Sequence, residues 1–114
     1  MKIIEKNITI KELEAMAQEI FVNLVKAVVD IEKKIMAING ELHADEEALL
    51  IEQGSKQQNL WGINIYPGLK DSDNFIEFDS MINLRPSQNN RSRNVEDTGI
   101  QKRIREIVNK LIIK

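Results

Sequence analysis

A strict alternation of apolar and polar residues from Phe75 to Arg85 predicts a strand with one buried face. Its apolar side carries Ile76, Phe78, Ser80, Ile82 and Leu84. Pro86 ends the strand, because proline has no amide proton to donate to a neighbouring strand. We expect this strand to anchor the polar loop that follows it, since loops anchored in this way often carry binding groups.

Residues 60–66 alternate in the same way, and their apolar face consists of Trp61, Ile63 and Ile65. Pairing Tyr66 with Phe75 makes an antiparallel hairpin in which Ile65 lies beside Ile76. The second half of the chain therefore predicts two paired strands.

Residues 25–42 predict an earlier hairpin, with Lys33 and Lys34 as a two-residue turn. The resulting register pairs Ile31 with Met36, Val29 with Ile38, Val25 with Leu42, and Lys26 with Glu41. The sequence Asn39-Gly40 is also a strong turn signal, which leaves a bulge in the second strand as an alternative.

Apolar residues at helical spacing predict a first helix over residues 10–22, in which Thr9 caps the backbone and Glu12 reaches back to it. A short second helix is predicted over residues 45–53. Acidic residues open its first turn, and Gly54 ends it in a left-handed conformation. We expect this helix to bury Ala48, Leu49 and Ile51.

A third helix is predicted after Asp97, which caps it. Its apolar stripe consists of Ile100, Ile104, Ile107, Val108, Leu111 and Ile112. Its opposite face is basic and carries Lys102, Arg103, Arg105 and Lys110.

With a short edge strand over residues 1–5, the order is strand, helix, hairpin, helix, hairpin, helix. This order predicts an α+β fold whose antiparallel sheet is built from the two hairpins. At 114 residues, we expect a single domain spanning 1–114. With all helices on one face of the sheet, the other face would be free as a binding surface.

The chain has no cysteine, so we expect no disulfide and no thiolate nucleophile or metal ligand. No apolar run approaches a membrane span or a leader peptide, so we expect a cytoplasmic protein without a membrane partner. The charged residues are unevenly distributed along the chain. Residues 85–114 hold eight Lys and Arg against three Asp and Glu, whereas residues 1–84 hold eight against fifteen. This asymmetry favours an anionic partner at the C-terminal quarter.

Basic and amide side chains concentrate in residues 83–93, which predicts a site for a phosphate- or carboxylate-bearing ligand. We expect Arg85 to anchor the anion, while Arg91 and Arg93 close over it. The neutral donors of this predicted site are Asn83, Gln88 and Asn90.

The chain contains no phosphate-binding glycine loop, no zinc-ligand spacing and no serine nucleophile elbow. His43 is the only histidine, and it becomes an accessory group of the site if the fold brings it to Asp79. We identify no cofactor and assign no catalytic residue, so binding is favoured over enzymatic activity.

Three alternatives use other parts of the chain. Asp71 and Asp73, in the acidic turn 71–79, offer oxygen ligands for calcium. The basic third helix could contact RNA phosphates, although the acidic body and the few aromatic residues weaken this interpretation. The apolar C-terminal residues 111–113 could support a homo-oligomer or another protein–protein interaction.

Three segments are distinctive as a set: GELHADEEALLIEQGS at 40–55, QNLWGINIYP at 58–67 and SMINLRPSQNNRS at 80–92. With the flanking segments KAVVDIEKKIMAI and EDTGIQKRIREIVNKLI, the chain resembles a family of small uncharacterised prokaryotic proteins, known as a domain of unknown function. The resemblance extends over nearly the whole chain. It implies one domain and assigns no role to any residue.

Overall fold

The fold is α+β, as the sequence predicts, and the computed structural model describes residues 1–114. The elements are β1 (Lys2–Ile4), β2 (Ile8–Thr9), α1 (Ile10–Ile20), β3 (Val25–Asp30), β4 (Ile35–Ile38), α2 (His43–Glu52), β5 (Leu60–Ile65), β6 (Ile76–Glu77), α3 (Thr98–Leu111) and β7 (Ile112–Ile113). Short 3-10 turns lie at Gln57–Asn59, Pro67–Leu69, Asp73–Phe75, Met81–Asn83 and Pro86–Gln88. None of the three helices has the length and apolar character needed to cross a bilayer.

Five strands form one antiparallel sheet in the order β1-β4-β3-β5-β6. Both predicted hairpins lie in it, β3 with β4 and β5 with β6, and β3 pairs with β5 at the centre. β2 and β7 form a separate parallel pair, in which Ile8 lies beside Ile112. The sequence did not predict this pair, because two-residue strands are too short to show alternation.

The register of the β3–β4 hairpin differs from the predicted one by two residues, since Val29 lies opposite Met36 instead of Ile38. The Asp30 carboxylate accepts the N–H groups two and three residues further on, both at 2.9 Å. This local hydrogen bonding opens the connection to four residues, 31–34. A shift of two residues keeps every side chain on its expected face, so the apolar face is correct although the partners are wrong.

The predicted pairing of Lys26 with Glu41 is also wrong. β4 ends at Ile38, and the next residue, Asn39, has a left-handed backbone with φ 66° that turns the chain out of the sheet. Lys26 lies instead opposite Asn64 on β5, which places a cation beside a buried amide.

The long strand predicted over residues 75–85 is wrong beyond Glu77. The predicted pairing at the start of this strand is correct, because the Tyr66 N–H donates to the Phe75 carbonyl at 2.9 Å. From Ser80 onward the chain forms a 3-10 turn, and the Ser80 hydroxyl accepts a main-chain N–H in that turn at 3.3 Å. A serine that bonds to its own backbone competes with strand pairing, so the alternation of side chains gave a false strand signal.

The predicted helix ends are largely confirmed. Thr9 Oγ1 accepts the Glu12 N–H at 3.1 Å and caps α1, which ends at Ile20, two residues before the predicted end. Asp97 Oδ1 accepts two N–H groups in the first turn of α3, at 2.8 and 3.1 Å. Gly54 follows α2 with φ 100°, the left-handed conformation expected of it.

α2 begins two residues before the predicted start and buries a different face. The buried residues are His43, Glu46 and Leu50. Of the residues predicted to be buried, Ala48 and Ile51 are exposed and Leu49 is half-buried. Apolar residues lie on several sides of this helix, so their spacing did not select the face that contacts β3 and β4.

Glu46 is fully buried between α2 and the sheet. Its Oε2 accepts the Gly40 N–H at 2.9 Å, and its Oε1 has no partner. Burial raises the pKa of Glu46 to about 9, so this carboxyl group is protonated at neutral pH. Gly40 makes room for it, because a Cβ there would lie 2.8 Å from Glu46 Cγ.

Helices lie on both faces of the sheet, so the expectation of one entirely free face is wrong. α1 and α3 cover one face and contribute to an apolar cluster of 22 buried residues. α2 and residues 79–83 cover the other face, around a small cluster of Val28, Ala37, Leu50 and Leu60. The candidate site lies on this second face.

Candidate functional site

A pocket of about 190 Å³ lies between α2 and the end of β5, and we name it the α2 pocket. It is lined by Lys26, Leu42, His43, Ala44, Asn64, Asp79, Ser80, Met81, Ile82 and Arg93. Three larger hollows are lined mainly by exposed surface residues. The α2 pocket is smaller, but it brings together several polar groups from separate elements, which is the arrangement expected of a ligand site.

The N-terminal end of α2 forms one wall of the α2 pocket. Its N-cap residue is Leu42, and no side chain caps the first turn. The N–H groups of Asp45 and Glu46 donate to the Leu42 carbonyl at 3.1 and 3.4 Å, whereas those of His43 and Ala44 have no acceptor in the chain. Free N–H groups at a helix N-terminus, together with the helix dipole, favour an anion.

His43 lies at this helix end and is 8% exposed. Its Nε2 is 2.7 Å from the Ile63 carbonyl oxygen. Burial lowers the pKa of His43, although the bond to Ile63 opposes this change, so the ring is neutral at pH 7. Because a carbonyl only accepts, Nε2 carries the hydrogen, and Nδ1 keeps a lone pair that no group in the chain uses.

Asp79 and Arg93 form an ion pair at the mouth of the α2 pocket, with 2.6 Å between Asp79 Oδ1 and Arg93 Nε. Their side chains are 43% and 56% exposed, so the pair contributes little to stability. The two terminal nitrogens of Arg93 make no hydrogen bond. They are therefore available as a planar fork for a carboxylate or phosphate.

Asn64 lies on the floor of the α2 pocket and is 7% exposed. Its Nδ2 donates to Glu77 Oε1 at 2.8 Å and to the Asp79 carbonyl at 3.3 Å. Its Oδ1 is buried without a partner. Lys26 is its cross-strand neighbour and brings a second cation to the same wall.

Arg85, the predicted anion anchor, is engaged inside the protein. Its guanidinium donates to the Gln57 carbonyl at 2.7 Å and to the Leu60 carbonyl, and it lies 4.1 Å from the centre of the Trp61 ring. Burial lowers the pKa of Arg85, and the nearby Glu47 carboxylate opposes this change. Arg85 connects the loop to β5 and does not line the α2 pocket.

Asn83 and Asn90 hold the loop 83–93 in shape. The Asn83 side chain accepts the Gly62 N–H at 2.8 Å and donates to the Gly62 carbonyl at 2.9 Å, so it takes the place of a neighbouring strand. The Asn90 amide donates to three carbonyls, those of Asn83, Ser92 and Asn94. Both side chains are buried, at 0% and 3% exposure, and neither lines the α2 pocket.

Gln88 and Arg91 lie on the outer side of the loop. Gln88 accepts from Arg85 and donates to the Gln58 carbonyl at 3.1 Å. Arg91 is exposed, and only its main-chain N–H is bonded, to Glu96 at 2.8 Å. Of the six residues predicted for the anion site, only Arg93 lines the α2 pocket, where it meets the accessory candidates His43 and Asp79.

Sequence reasoning missed Lys26 and Asn64. Each lies at a position that alternation assigns to the polar face of a strand, and such positions are usually taken as solvent-exposed. One signal was present, because Lys26 is the only charged residue within the apolar run 25–29. A cation kept in a buried central strand is a candidate for a functional role.

The acidic turn 71–79 does not gather its carboxylates. Asp71 and Asp73 are both exposed, and Ser72 caps the turn between them by accepting the Asn74 N–H at 3.0 Å. No group of three or more His, Asp or Glu side chains lies close enough to hold a metal ion. The calcium alternative gains no support from this geometry, since calcium takes six to eight oxygen ligands.

No curated protein and no solved structure matches the chain. The family resemblance noted in the sequence is confirmed by a match that spans nearly the whole chain. Over residues 2–111 the chain matches, and it therefore belongs to, the family described as "Protein of unknown function (DUF5674)".

Proposed function

We propose that this protein binds a small anionic ligand in the α2 pocket. In this proposal, the N–H groups of His43 and Ala44 and the free end of the Arg93 guanidinium hold the anion. Lys26 adds a second positive charge to the pocket wall. The observation that carries the proposal is the uncapped N-terminus of α2, which opens onto the same pocket as an arginine with two unused nitrogens.

The proposal narrows the site predicted at residues 83–93. Arg93 remains a ligand-binding residue, whereas Asn83, Arg85, Gln88 and Asn90 have internal hydrogen bonds and form the frame that positions it. The Arg91 side chain makes no hydrogen bond or ion pair and lies outside the pocket, so we assign it no direct role.

The size of the α2 pocket limits the class of ligand. Its volume of about 190 Å³ is below the roughly 300–1,000 Å³ typical of sites for drug-sized ligands. We therefore propose a small carboxylate or phosphate compound rather than a nucleotide or a large cofactor. The predicted cytoplasmic location belongs to the same proposal, and the absence of cysteine is compatible with it.

The test is an NMR titration of the ¹⁵N-labelled protein with acetate and with inorganic phosphate at low ionic strength. The proposal expects the amide signals of His43 and Ala44 to shift with at least one probe. The shifts should be strongly reduced in Arg93→Gln and retained in Arg91→Gln, an exposed arginine of the same loop that serves as the matched control. Equal shifts in both variants, or no shift in the wild-type protein, would overturn the proposal.

A second candidate function is supported by a groove of about 620 Å³ between α3, the β3–β4 connection and the β1–β2 segment. Four lysines line it: Lys6, Lys33, Lys34 and Lys110. None of them forms an ion pair, although Glu5 and Glu106 also lie on its wall. Unpaired cations in a groove suit a polyanion such as RNA.

This second candidate is tested by fluorescence polarisation of a short labelled RNA at two salt concentrations. If the groove binds RNA, the triple variant Lys33→Gln/Lys34→Gln/Lys110→Gln should weaken binding and flatten its salt dependence. Substitution of Lys2, Lys11 and Lys70 by Gln, three exposed lysines outside the groove, is the control with the same charge change. An equal loss in both triple variants would indicate only a general charge effect and would contradict a site in the groove.

A further inference from the structure

The α2 pocket contains hydrogen-bond acceptors that an anion cannot satisfy. Asn64 Oδ1 is buried without a donor, and His43 Nδ1 has a lone pair that no group in the chain uses. The Asp79 carboxylate stands at the same pocket, with one oxygen engaged by Arg93. The proposed function specifies only that the ligand is negatively charged. It therefore gives these three acceptors no hydrogen-bond partner.

The orientation of the Asn64 amide follows from its neighbours. Both groups that contact its Nδ2 are oxygens, the Glu77 carboxylate and the Asp79 carbonyl, and both act as acceptors. If the amide were rotated by 180°, its Oδ1 would lie against the Glu77 and Asp79 oxygens. Oδ1 must therefore face away from them. A buried carbonyl left without a donor is costly, so Asn64 Oδ1 is an acceptor that a bound N–H group would satisfy.

The α2 pocket carries groups that attract opposite charges. Arg93, Lys26 and the N-terminus of α2 attract a negative group, whereas Asp79, Asn64 and His43 attract a positive or N–H-bearing group. A ligand carrying a single negative charge would leave the second set unsatisfied and would lie near the Asp79 carboxylate. A ligand with an ammonium close to a carboxylate matches both sets.

Part of the rim of the α2 pocket is apolar. Met81 is 62% exposed and Leu42 is 56% exposed, and both line the pocket together with Ile82 and Ala44. Large apolar side chains with this much exposure at the mouth of a polar pocket suit a ligand that has an apolar group beside its charged end.

We propose that the ligand is a zwitterionic α-amino acid with an apolar side chain. Its carboxylate is held by Arg93 and the N-terminus of α2, its ammonium donates to Asn64 Oδ1 and Asp79, and its side chain lies against Met81 and Leu42. This inference rests on the proposed function, because it names the class of anion that the α2 pocket takes.

The experiment compares three probes of similar shape by isothermal titration calorimetry, with NMR shifts of His43 and Ala44 as the position marker. L-leucine carries both charged groups, 4-methylpentanoate lacks the ammonium, and 3-methylbutylamine lacks the carboxylate. We expect L-leucine to bind at least about tenfold more tightly than either analogue, since each analogue leaves one set of pocket groups unsatisfied.

The outcomes separate this inference from the proposed function. If 4-methylpentanoate binds as tightly as L-leucine, the inference is wrong and anion binding stands. If 3-methylbutylamine binds as tightly as L-leucine, the anion is not recognised and both proposals fail. If none of the three probes shifts the His43 and Ala44 signals, this inference is wrong, and anion binding is then decided by the titrations with acetate and phosphate.

The apolar rim has its own test, in which L-leucine and glycine are compared as probes. The variant Met81→Ser should weaken L-leucine binding while leaving that of glycine nearly unchanged, because glycine has no side chain to contact the rim. Leu84→Ser is the matched control, since Leu84 is similarly exposed but lies outside the pocket. An equal effect of both variants on L-leucine would contradict the contact with Met81.

Discussion

The two faces of the five-stranded sheet are held together in different ways. The face covered by α1 and α3 contributes to a cluster of 22 buried apolar residues, among them Trp61 and Ile104. The face covered by α2 has only four buried apolar residues in its cluster. Buried polar side chains there include Asp30, His43, Glu46, Asn64 and Asn83.

This difference between the two faces bears on where the proposed binding site lies. Close-packed apolar side chains offer few donors or acceptors, so the apolar cluster under α1 and α3 mainly provides stability. On the α2 face, hydrogen bonds from buried side chains to the main chain contribute to stability, such as those between Asn83 and Gly62. One buried polar atom without a partner, Asn64 Oδ1, belongs to a residue that lines the α2 pocket.

The largest expected effect tests the apolar face directly. Replacing Ile104 by Ala should cost about 3–5 kcal/mol of unfolding free energy, because the neighbouring packed residues cannot close the cavity. Leu50→Ala on the α2 face should cost less, about 2–3 kcal/mol, since its apolar surroundings are smaller. Urea unfolding measures both values, and a larger loss for Leu50→Ala would contradict the comparison.

The second prediction concerns the buried carboxyl group of Glu46, whose pKa is raised to about 9 by burial. The unfolded chain releases this proton near pH 4.5, the ordinary value, while the folded protein keeps it. The stability from Glu46 is therefore fully present below about pH 4.5 and is lost as the pH rises toward about 9, with a limiting slope of about 1.4 kcal/mol per pH unit.

Glu46→Gln keeps the acceptor for Gly40 and removes this proton, so it should raise the unfolding free energy at about pH 8 by about 5 kcal/mol. The variant should also lose the decline in stability between about pH 7 and about pH 9. Glu52→Gln, at the exposed end of α2, is the control and should keep the decline. A wild-type protein whose stability does not fall over this range would contradict a buried neutral Glu46.

The third prediction tests hydrogen bonding on the α2 face. Asn83→Ala should cost about 2 kcal/mol, because it leaves the N–H and carbonyl of Gly62 buried without partners. Asn94→Ala, an exposed asparagine of the same loop whose side chain makes no hydrogen bond, should change stability very little. Thermal unfolding compares the two, and equal losses would show that Asn83 does not replace a strand at β5.

The smallest expected change in stability is at the proposed ligand-binding residue. Arg93→Gln removes an exposed ion pair and should alter the unfolding free energy by less than about 0.5 kcal/mol. The same variant should lose most of its affinity for anionic probes. A large loss of stability, measured by urea unfolding, would instead assign Arg93 a structural role like that of Arg85.

Local sequence signals predicted the ends of elements well. Thr9, Asp97 and Gly54 act as expected, because each uses its own side chain or backbone freedom within one turn of the chain. The same local chemistry explains two errors. Asp30 and Ser80 bond to nearby main-chain N–H groups, which lengthened one hairpin connection and replaced most of a predicted strand.

The predicted site combined residues that are close in sequence but have different partners in space. Arg85 and Arg93 are both arginines of one loop, yet Arg85 lies over Trp61 whereas Arg93 lies at a pocket with His43. Composition alone indicated anion-binding chemistry in this region. It could not show which guanidinium had unused nitrogens, because that depends on contacts with β5 more than twenty residues away in the chain.

The sequence by itself determined the α+β class, the order of elements, the caps of α1 and α3, and which side of each central strand is apolar. These properties depend on side-chain periodicity and on hydrogen bonds within a few residues. Tertiary structure alone decided that α2 covers the second face of the sheet, that Glu46 is buried, and that His43, Asn64 and Arg93 line one pocket. Those outcomes depend on contacts between distant segments, and such contacts form only when the whole sheet is assembled.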